Sequence, residues 1–519
     1  MKVCPNVIAL LGAVQETCPV SNSACCTALY NSPLNANLLF PSHPSYRESI
    51  HSHYAVNARL YPACILQPRS AQEVSQAVTV LVEADDDSPQ CKFAVRSGGH
   101  TTWAGAAGVQ DGVTIDLSLM NATTYHAENS TASIMAGARW ASVYKTLKEY
   151  GVAVTGGRSD TLGVGGLVTG GGLSYFAARD GFVCDNIESM ELVLASGEIV
   201  TASTTSHADL FRAQKGGSNN FGIITKVNLR AFAQGDLWGG IIVHDMSTVS
   251  QQISALVNFT NRVEEDPNAC LVSFWQYSSQ LGTTIAATAP QYLLPVENPE
   301  AYRELLAIPS WSSSVRYADI YDLMMETSPP AGKRVILLTL TFGNDERVLQ
   351  RLVDTQGALV EEVKPYMKSA DWNFVSFLQP FPALFGQKGK RNGGNVLGID
   401  RMTKNHLGAW MQGAGLVHHA NICLATMIVY LLFLSWDDSR DDSLVKYAGD
   451  RIITQVREYA ASIGEDHEYI YLNYADRSQN PLRGYGADNL REILRVAKKY
   501  DPAGVFQTQM PGGFKVSQA

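Results

Sequence analysis

The residues best placed to do chemistry in this chain are one histidine and two runs of glycine. His100 closes the stretch Arg96-Ser-Gly-Gly-His100, directly after a predicted short strand from Phe93 to Val95. A glycine-made turn there presents an imidazole at a strand end, where a rigid scaffold usually displays functional groups. Between Gly156 and Gly172 eight of seventeen residues are glycine, and Gly216-Gly-Ser-Asn-Asn-Phe-Gly222 is a second run. Each glycine costs about 1 kcal/mol inside a helix or strand, so the first run is predicted to be a loop whose backbone approaches something closely. Two such loops either make tight turns or offer main-chain N–H groups to an elongated anion such as a cofactor pyrophosphate. The spacing of Gly163-Val-Gly165-Gly-Leu-Val168 breaks the dinucleotide fingerprint at its last glycine, and no GKS or GKT follows a glycine run. His418-His419 make a poor chelate, because neighbours on a strand face opposite ways, and at most one is expected to enter a pocket.

The elements that must position these groups follow from periodicity. Ala63 to Leu66 reads as a strand, and Ser70 with Glu73 as a capping box opening a helix with Ala71, Val74, Ala77, Val78 and Leu81 on one face. Val113 to Leu117 is a further strand. Trp140 to Tyr150 is predicted helical, with Trp140, Val143, Tyr144 and Leu147 inward and Gly151 as its stop. Ile187 to Leu194 and Ile199 to Ala202 pair as a hairpin around Ser196-Gly197. A helix near Asp209 to Ala213 and a strand Ile223 to Leu229 flank the second glycine run, and the first unit ends near residue 232. Beyond it, strand Val335 to Phe342 and helix Arg347 to Tyr366 belong to a separate covering unit. The last sixty residues hold a predicted strand from Tyr469 to Tyr474 and a helix from Ala487, with Leu490, Ile493, Leu494 and Ala497 inward and Asp501-Pro502 as its stop.

Composition bounds the function classes. A chain of 519 residues has room for more than one core and for a large cofactor. With 45% apolar and 17% charged residues and a net charge of −9, it carries no electrostatic footprint for nucleic acid. None of the nine cysteines lies in a C-x-x-C spacing, so no metal site is expected. Buried free thiols are their expected state, although Cys25 and Cys26 would suit pairing with another N-terminal cysteine in a secreted protein. The stretch Val7 to Val14 meets only the lower edge of a signal core and lacks a clean cleavage site, leaving a cytoplasmic or a secreted protein open. Ile422 to Leu434 falls short of the ~20 residues that span a bilayer and is predicted to be a buried strand, so no integral membrane segment is expected.

Arg96-Ser-Gly-Gly-His100, the strand Thr114-Ile-Asp-Leu-Ser118, the loop Gly163-Val-Gly-Gly-Leu-Val-Thr-Gly-Gly-Gly172, Asp185 to Gly197, and Asp209 to Gly217 with Asn220-Phe-Gly222 together resemble the FAD-linked oxidases of the vanillyl-alcohol oxidase type. The berberine bridge enzyme branch is the most similar, and its C-terminal signature is matched by Tyr471-Leu-Asn-Tyr-Ala475 and Tyr500-Asp-Pro502. The resemblance implies an α+β fold of two domains: a PCMH-type FAD-binding domain at 52–232, joined by 461–519, and a substrate domain at 233–460 of antiparallel sheet covered by helices, with 1–51 as an N-terminal segment.

The same resemblance implies the site. His100 matches the histidine that bonds to the flavin 8α-methyl, and Ser159 stands where many relatives add a cysteinyl link, so a singly attached FAD is expected. Arg96, Ser97, Gly98, Gly99, Thr101, Gly163, Gly165, Gly166, Gly170, Gly217, Gly222, Ile224 and Asn473 are expected to contact FAD. Val168 is expected to gate oxygen beside the flavin, with Leu167 replacing the histidine usual before it. Tyr471, Asn473 and Tyr474 are the implied catalytic residues. On an extended strand Tyr471 and Asn473 share a face that Tyr474 does not, which favours Tyr471 as the base. An ordinary tyrosine ionises near pH ~10, so a neighbouring cation or the flavin must assist it. The implied reaction is two-electron oxidation of a small, largely apolar alcohol, phenol or amine of secondary metabolism, with O2 as acceptor. Oxidative cyclisation, a sugar as substrate, and a flavin carrier without turnover are the alternative readings.

Overall fold

The parallel strands that end at the histidine loop form the first layer. In the computed structural model, which describes residues 23–87, 91–402 and 425–519, Cys64–Leu66, Val113–Asp116 and Phe93–Arg96 pair in parallel, with Leu38–Leu39 antiparallel at one edge. Val7 to Val14 and His418-His419 lie outside the described residues. Helix Ala71–Asp87 buries Val74, Ala77, Val78 and Leu81. Its N-terminus is capped as its sequence predicts, the Ser70 hydroxyl accepting the Glu73 N–H at 3.2 Å while Glu73 accepts the N–H of Arg69 at 2.7 Å.

A buried charge cluster ties these strands together. Arg96 and Asp116, side by side on paired strands, form an ion pair only 3% and 1% exposed, and Ser49, His53 and Gln67 complete its hydrogen bonds. Burial works against the Asp116 charge, but the Arg96 guanidinium and the surrounding donors outweigh it and hold the carboxyl below its usual range.

Four cysteines depart from the free-thiol expectation. Cys25 is bonded to Cys91 and Cys26 to Cys64, which pins the N-terminal helix Ala24–Tyr30 onto the first sheet. Adjacent cysteines on one helix meet partners that sequence separations of 66 and 38 residues conceal. Cys184 and Cys270 are free thiols.

The second sheet is antiparallel, in the order Thr123–His126, Thr131–Met135, Ile223–Ala233, Ile187–Val193, Ile199–Ser203, with Val152–Val154 pairing the far end of Ile223–Ala233. The predicted hairpin is present. Helix Trp140–Lys148 buries the four residues assigned inward. Val164–Thr169, predicted as loop, is one short helix in spite of Gly165 and Gly166. Its first N–H groups bond to Ala138 O and Ala136 O, and a Cβ at Gly165 would already lie 3.3 Å from those of Ala136 and Ser97. Close packing against this sheet overrides the low helix propensity of glycine.

The third sheet has ten antiparallel strands, with the long central ones Thr283–Tyr292, Ala269–Ser278, Trp372–Pro380, Met427–Trp436 and Arg334–Gly343 adjacent in that order. Helices Val249–Asn261, Glu346–Val363 and Asp442–Ser462 accompany it, each burying an apolar stripe. Gln356 of the second reaches the carbonyls of Trp275 and Phe374. Met427–Trp436 is buried at every residue, as the apolar run predicts. No helix among the described residues is long and apolar enough to cross a membrane.

The C-terminal stretch returns to the first two layers: Gln509 O accepts the Phe93 N–H at 2.8 Å, and Tyr485 donates to Gly216 O at 3.0 Å. In helix Ala487–Tyr500 the buried face is Ile493, Val496 and Ala497, while Leu494 is 42% exposed, one position being a rotation of about 100° away from Ile493. The predicted strand from Tyr469 is also corrected: Leu472–Tyr474 is a 3-10 turn with Tyr471 as its N-cap.

Asp116→Ala, which strands a buried guanidinium, is expected to cost about 3–5 kcal/mol in a denaturant titration, and Arg96→Met with Asp116→Leu is expected to recover much of it. Because the Asp116 pKa is depressed on folding, the pair's contribution is present above the unfolded carboxylate's pKa and is lost as pH falls through the folded one.

Candidate active site

Two cavities meet at the histidine. A cleft between the first two layers is lined by Ser97 to Trp103, Gly163, Gly165 to Leu167, Ser218, Asn219, Gly222 to Ile224, Asn473 and Phe514. A chamber of about 560 Å³ lies under the third sheet. His100, Leu162, Leu167, Leu337 and Asn473 line both.

Glycines make the cleft possible. A Cβ on Gly98 would stand 2.5 Å from Gly163 N, and one on Gly163 would stand 2.3 Å from Gly98 N, so the two loops touch backbone to backbone. Ser97 bolts them, its hydroxyl donating to Ala136 O and accepting the Gly165 N–H at 3.1 Å. That N–H also faces Ala136 O, so it is committed to the protein and not to an anion. Gly99 takes a φ of +64°, which turns the chain into His100. Gly166 has nothing within 4 Å of its absent side chain and lines the cleft.

The expected FAD-contacting residues divide accordingly. Ser97, Gly98, Gly99, His100, Thr101, Gly163, Gly165, Gly166, Gly222, Ile224 and Asn473 line the cleft, and Ser159 lines the chamber. Four residues do not. Arg96 is consumed by the Asp116 pair. Gly217 admits Phe221, whose ring lies 2.5 Å from where a Cβ would be, and Gly170 admits Asn473 Oδ1 at 2.2 Å in the same sense. Val168 is fully buried and lines neither cavity, whereas Leu167 lines both. Successive residues of a helical turn are rotated by about 100°, so only one of the two faces the junction.

His100 is stacked on Tyr54, ring centroids 4.0 Å apart and planes 15° from parallel. Burial first, then the Arg139 charge, lowers its pKa to about 4, leaving a neutral imidazole at neutral pH. Its buried Nε2 has no hydrogen-bond partner among the described residues, and neither has Ser159 Oγ. Unsatisfied buried polar atoms are costly. Together with the open space at Gly166, they fit a polar, ring-bearing cofactor laid across the junction.

The C-terminal signature reaches the chamber side. Asn473 donates to Leu167 O at 3.0 Å and to the Tyr471 oxygen at 3.1 Å, and Leu173 N–H donates to that oxygen at 2.6 Å. Burial, and secondarily Tyr474, raise the Tyr471 pKa far above the ordinary phenol, against those two donors. Residues three apart eclipse in a 3-10 turn, so Tyr471 and Tyr474 lie together, ring centroids 4.7 Å apart, where a strand would have separated them. Tyr474 is the half-buried one. Its hydroxyl accepts from Arg158 Nη2 at 3.1 Å and from Gln379 Nε2 at 3.2 Å, and Arg158 also donates to Gln379 Oε1. Sequence reasoning missed Arg158 and Gln379. The first is the lone cation of the glycine-rich run; the second had no signal beyond alternation along Trp372–Pro380.

A cleft built from close-approaching backbone, ending on a neutral histidine beneath a tyrosine-bearing chamber, defines the class as a flavin-linked oxidoreductase. Residues 62–203 match a sequence family described as an FAD binding domain. The chain is 42% identical over 498 residues to an FAD-dependent monooxygenase of Emericella nidulans, covering 95% of this chain and 98% of the relative. It is 38% identical to an FAD-dependent monooxygenase of Aspergillus calidoustus, over 95% and 90% of the two chains. In fold it is similar to the xylooligosaccharide oxidase of Myceliophthora thermophila C1, with TM-score 0.72, 20% identity and 95% and 99% coverage. It is likewise similar to the 6-hydroxy-D-nicotine oxidase of Arthrobacter nicotinovorans, with TM-score 0.69, 18% identity and 90% and 96% coverage. The chain belongs to the family of these FAD-dependent monooxygenases and is an FAD-dependent oxidoreductase, with the fold that the two oxidases share.

Gly166→Val is expected to fold like the wild type by circular dichroism and to purify with less flavin, read from the visible absorbance. Gly98→Ala, which collides with backbone, is expected to lose the fold. Full flavin content in folded Gly166→Val would remove this glycine from the cofactor cradle.

Proposed function

We propose that this enzyme oxidises a small, largely apolar alcohol, phenol or amine, with FAD bound covalently through His100 alone and O2 as the final acceptor. The observation that carries the reading is the Tyr474 hydroxyl, held by Arg158 and Gln379 on a chamber that joins the cofactor cleft at His100, Leu167 and Asn473. FAD supplies an acceptor for two electrons and a proton, delivered as hydride from a substrate carbon. Tyr474, once its own proton has left for solvent, takes the hydroxyl or phenol proton and becomes the neutral hydroxyl again. Its oxygen receives a charge-assisted bond from Arg158, the type of bond that strengthens as the acceptor becomes negative. Tyr471, more deeply buried and with its oxygen already accepting two N–H groups, orients Asn473 and the Tyr474 ring instead.

Val272, Phe274, Val375, Phe377, Leu431 and Phe433 line the chamber, which supports an apolar substrate over a sugar. The fungal relatives support a secondary metabolite. His100 offers an unspent ring nitrogen and Ser159 has no thiol, which supports a single 8α-histidyl link. The relatives' description as monooxygenases favours a second reading, insertion of one oxygen atom.

The wild-type flavin is expected to stay with acid-precipitated protein and His100→Ala to release it; free flavin from the wild type would exclude covalency. Tyr474→Phe is expected to slow anaerobic flavin reduction by ~10² to 10⁴, with Tyr471→Phe having the smaller effect. The reverse order would return the base to Tyr471. Turnover under ¹⁸O2 separates the two reactions: label in hydrogen peroxide alone marks an oxidase, and label in the product marks a monooxygenase.

A further inference from the structure

Among the described residues four of six cysteines are joined in pairs, Cys25 to Cys91 and Cys26 to Cys64, and all four are buried. Cys64 lies on strand Cys64–Leu66 and Cys91 just before Phe93–Arg96, so both bridges hold the sheet that delivers His100. Such bridges persist in oxidising compartments, whereas the glutathione of the cytosol keeps thiols reduced. The lumen in which a secreted chain acquires them is also where asparagine in Asn-x-Ser/Thr accepts a glycan. This chain holds three such triplets, Asn121-Ala-Thr123, Asn129-Ser-Thr131 and Asn258-Phe-Thr260, and the asparagine of each is exposed.

The fold uses the three differently. Asn258 stands in helix Val249–Asn261 with Nδ2 donating to Glu304 Oε2 at 2.8 Å, and the buried Thr260 spends its hydroxyl on Leu256 O. Asn121 Nδ2 donates to Ser118 O at 3.0 Å, and Thr123 Oγ1 is buried away from it without a hydrogen-bond partner among the described residues. Asn129 occupies the turn between the paired strands Thr123–His126 and Thr131–Met135. There the Thr131 hydroxyl donates to Asn129 Oδ1 at 2.7 Å, and Nδ2 donates to nothing among the described residues. A sugar on that nitrogen displaces no hydrogen bond, and it projects from a hairpin tip into solvent.

We infer that Asn129 carries an N-linked glycan and that the chain matures in the oxidising lumen of a secretory pathway, where its two bridges form. The inference is independent of the proposed reaction. In the transfer a bond forms between Asn129 Nδ2 and the anomeric carbon of a lipid-linked oligosaccharide. The bond from that carbon to the carrier's pyrophosphate oxygen breaks, the pyrophosphate leaves with the electron pair, and Nδ2 gives up one proton. Each bridge forms by exchange with a disulfide-bearing oxidant, which takes two electrons and two protons and leaves as its dithiol.

The test uses protein isolated from the organism that makes it, digested without reduction and treated in ¹⁸O water with an endoglycosidase that converts glycosylated asparagine to aspartate. Asn129 is expected as labelled aspartate, and the peptides holding Cys25 with Cys26, Cys64 and Cys91 as one disulfide-linked group. Thr131→Ala, expressed in the same organism, is expected to fold like the wild type by circular dichroism and to lose this glycan from its intact mass; Thr131→Ser is expected to keep it. Unlabelled Asn129 in the wild type, whether or not Asn121 or Asn258 is labelled, would overturn the glycan without needing any variant to fold. Alkylation of Cys25, Cys26, Cys64 and Cys91 in unreduced, unfolded protein would overturn the compartment. Neither turnover nor flavin is read, so failure here leaves the proposed oxidation standing.

Discussion

The backbone contact between Gly98 and Gly163 is the constraint on which the site depends. Neither position has room for a single carbon beyond the main chain, so two loops from different sheets can share one wall only when both residues are glycine. Everything that follows is geometry inherited from that approach. It sets Ser97 where its hydroxyl links Ala136 to Gly165, it lets Gly99 turn the chain, and it brings His100 to the point where cleft and chamber meet. The Arg96–Asp116 pair serves the same contact from behind, by fixing the strand end from which the loop departs. A charge placed in that position contributes rigidity and would be wasted as a ligand for a cofactor.

The third sheet supplies what the first two layers lack. Its helix-covered face is an ordinary core, with Leu271, Trp275, Phe374 and Leu434 buried. The opposite face is offered to the chamber, where Val272, Phe274, Val375, Phe377, Leu431 and Phe433 make these strands apolar on that side as well, interrupted by Gln276, Asn373 and Gln379. Arg158, Gln379 and Tyr474 form one hydrogen-bonded set on its wall, and Lys333, Asp371 and Asn373 form another polar group around it.

The glycine-rich runs, His100 and the tyrosine signature were legible because they are local: their meaning depends on residue types at short spacing, which the chain order preserves. Amphipathic helices and the hairpin were legible for the same reason. Misreadings arose where a residue's partner lies far along the chain. Cys25 and Cys26 meet Cys91 and Cys64. Gly165 and Gly166 lie in a helix because the segment after strand Thr131–Met135 accepts the N–H groups of Val164 and Gly165 and fills the space beside Gly165. Arg96 carries a family motif but spends its charge on Asp116.

By itself the sequence determined the class of protein and the residues present at its centre, since a flavin-linked oxidoreductase of this family is written in motifs that need no partner to be recognised. Only the tertiary structure decided which of those residues face one another. Tyr471 and Tyr474 came to share a side because their backbone is a 3-10 turn and not a strand, Leu167 rather than Val168 faces the junction because one helical step rotates it there, and Arg158 became part of the site through Gln379, 221 residues away. The physical reason is the same in each case: backbone periodicity fixes which side chains share a face, but the hydrogen bonds and packing that select that periodicity come from segments distant in sequence.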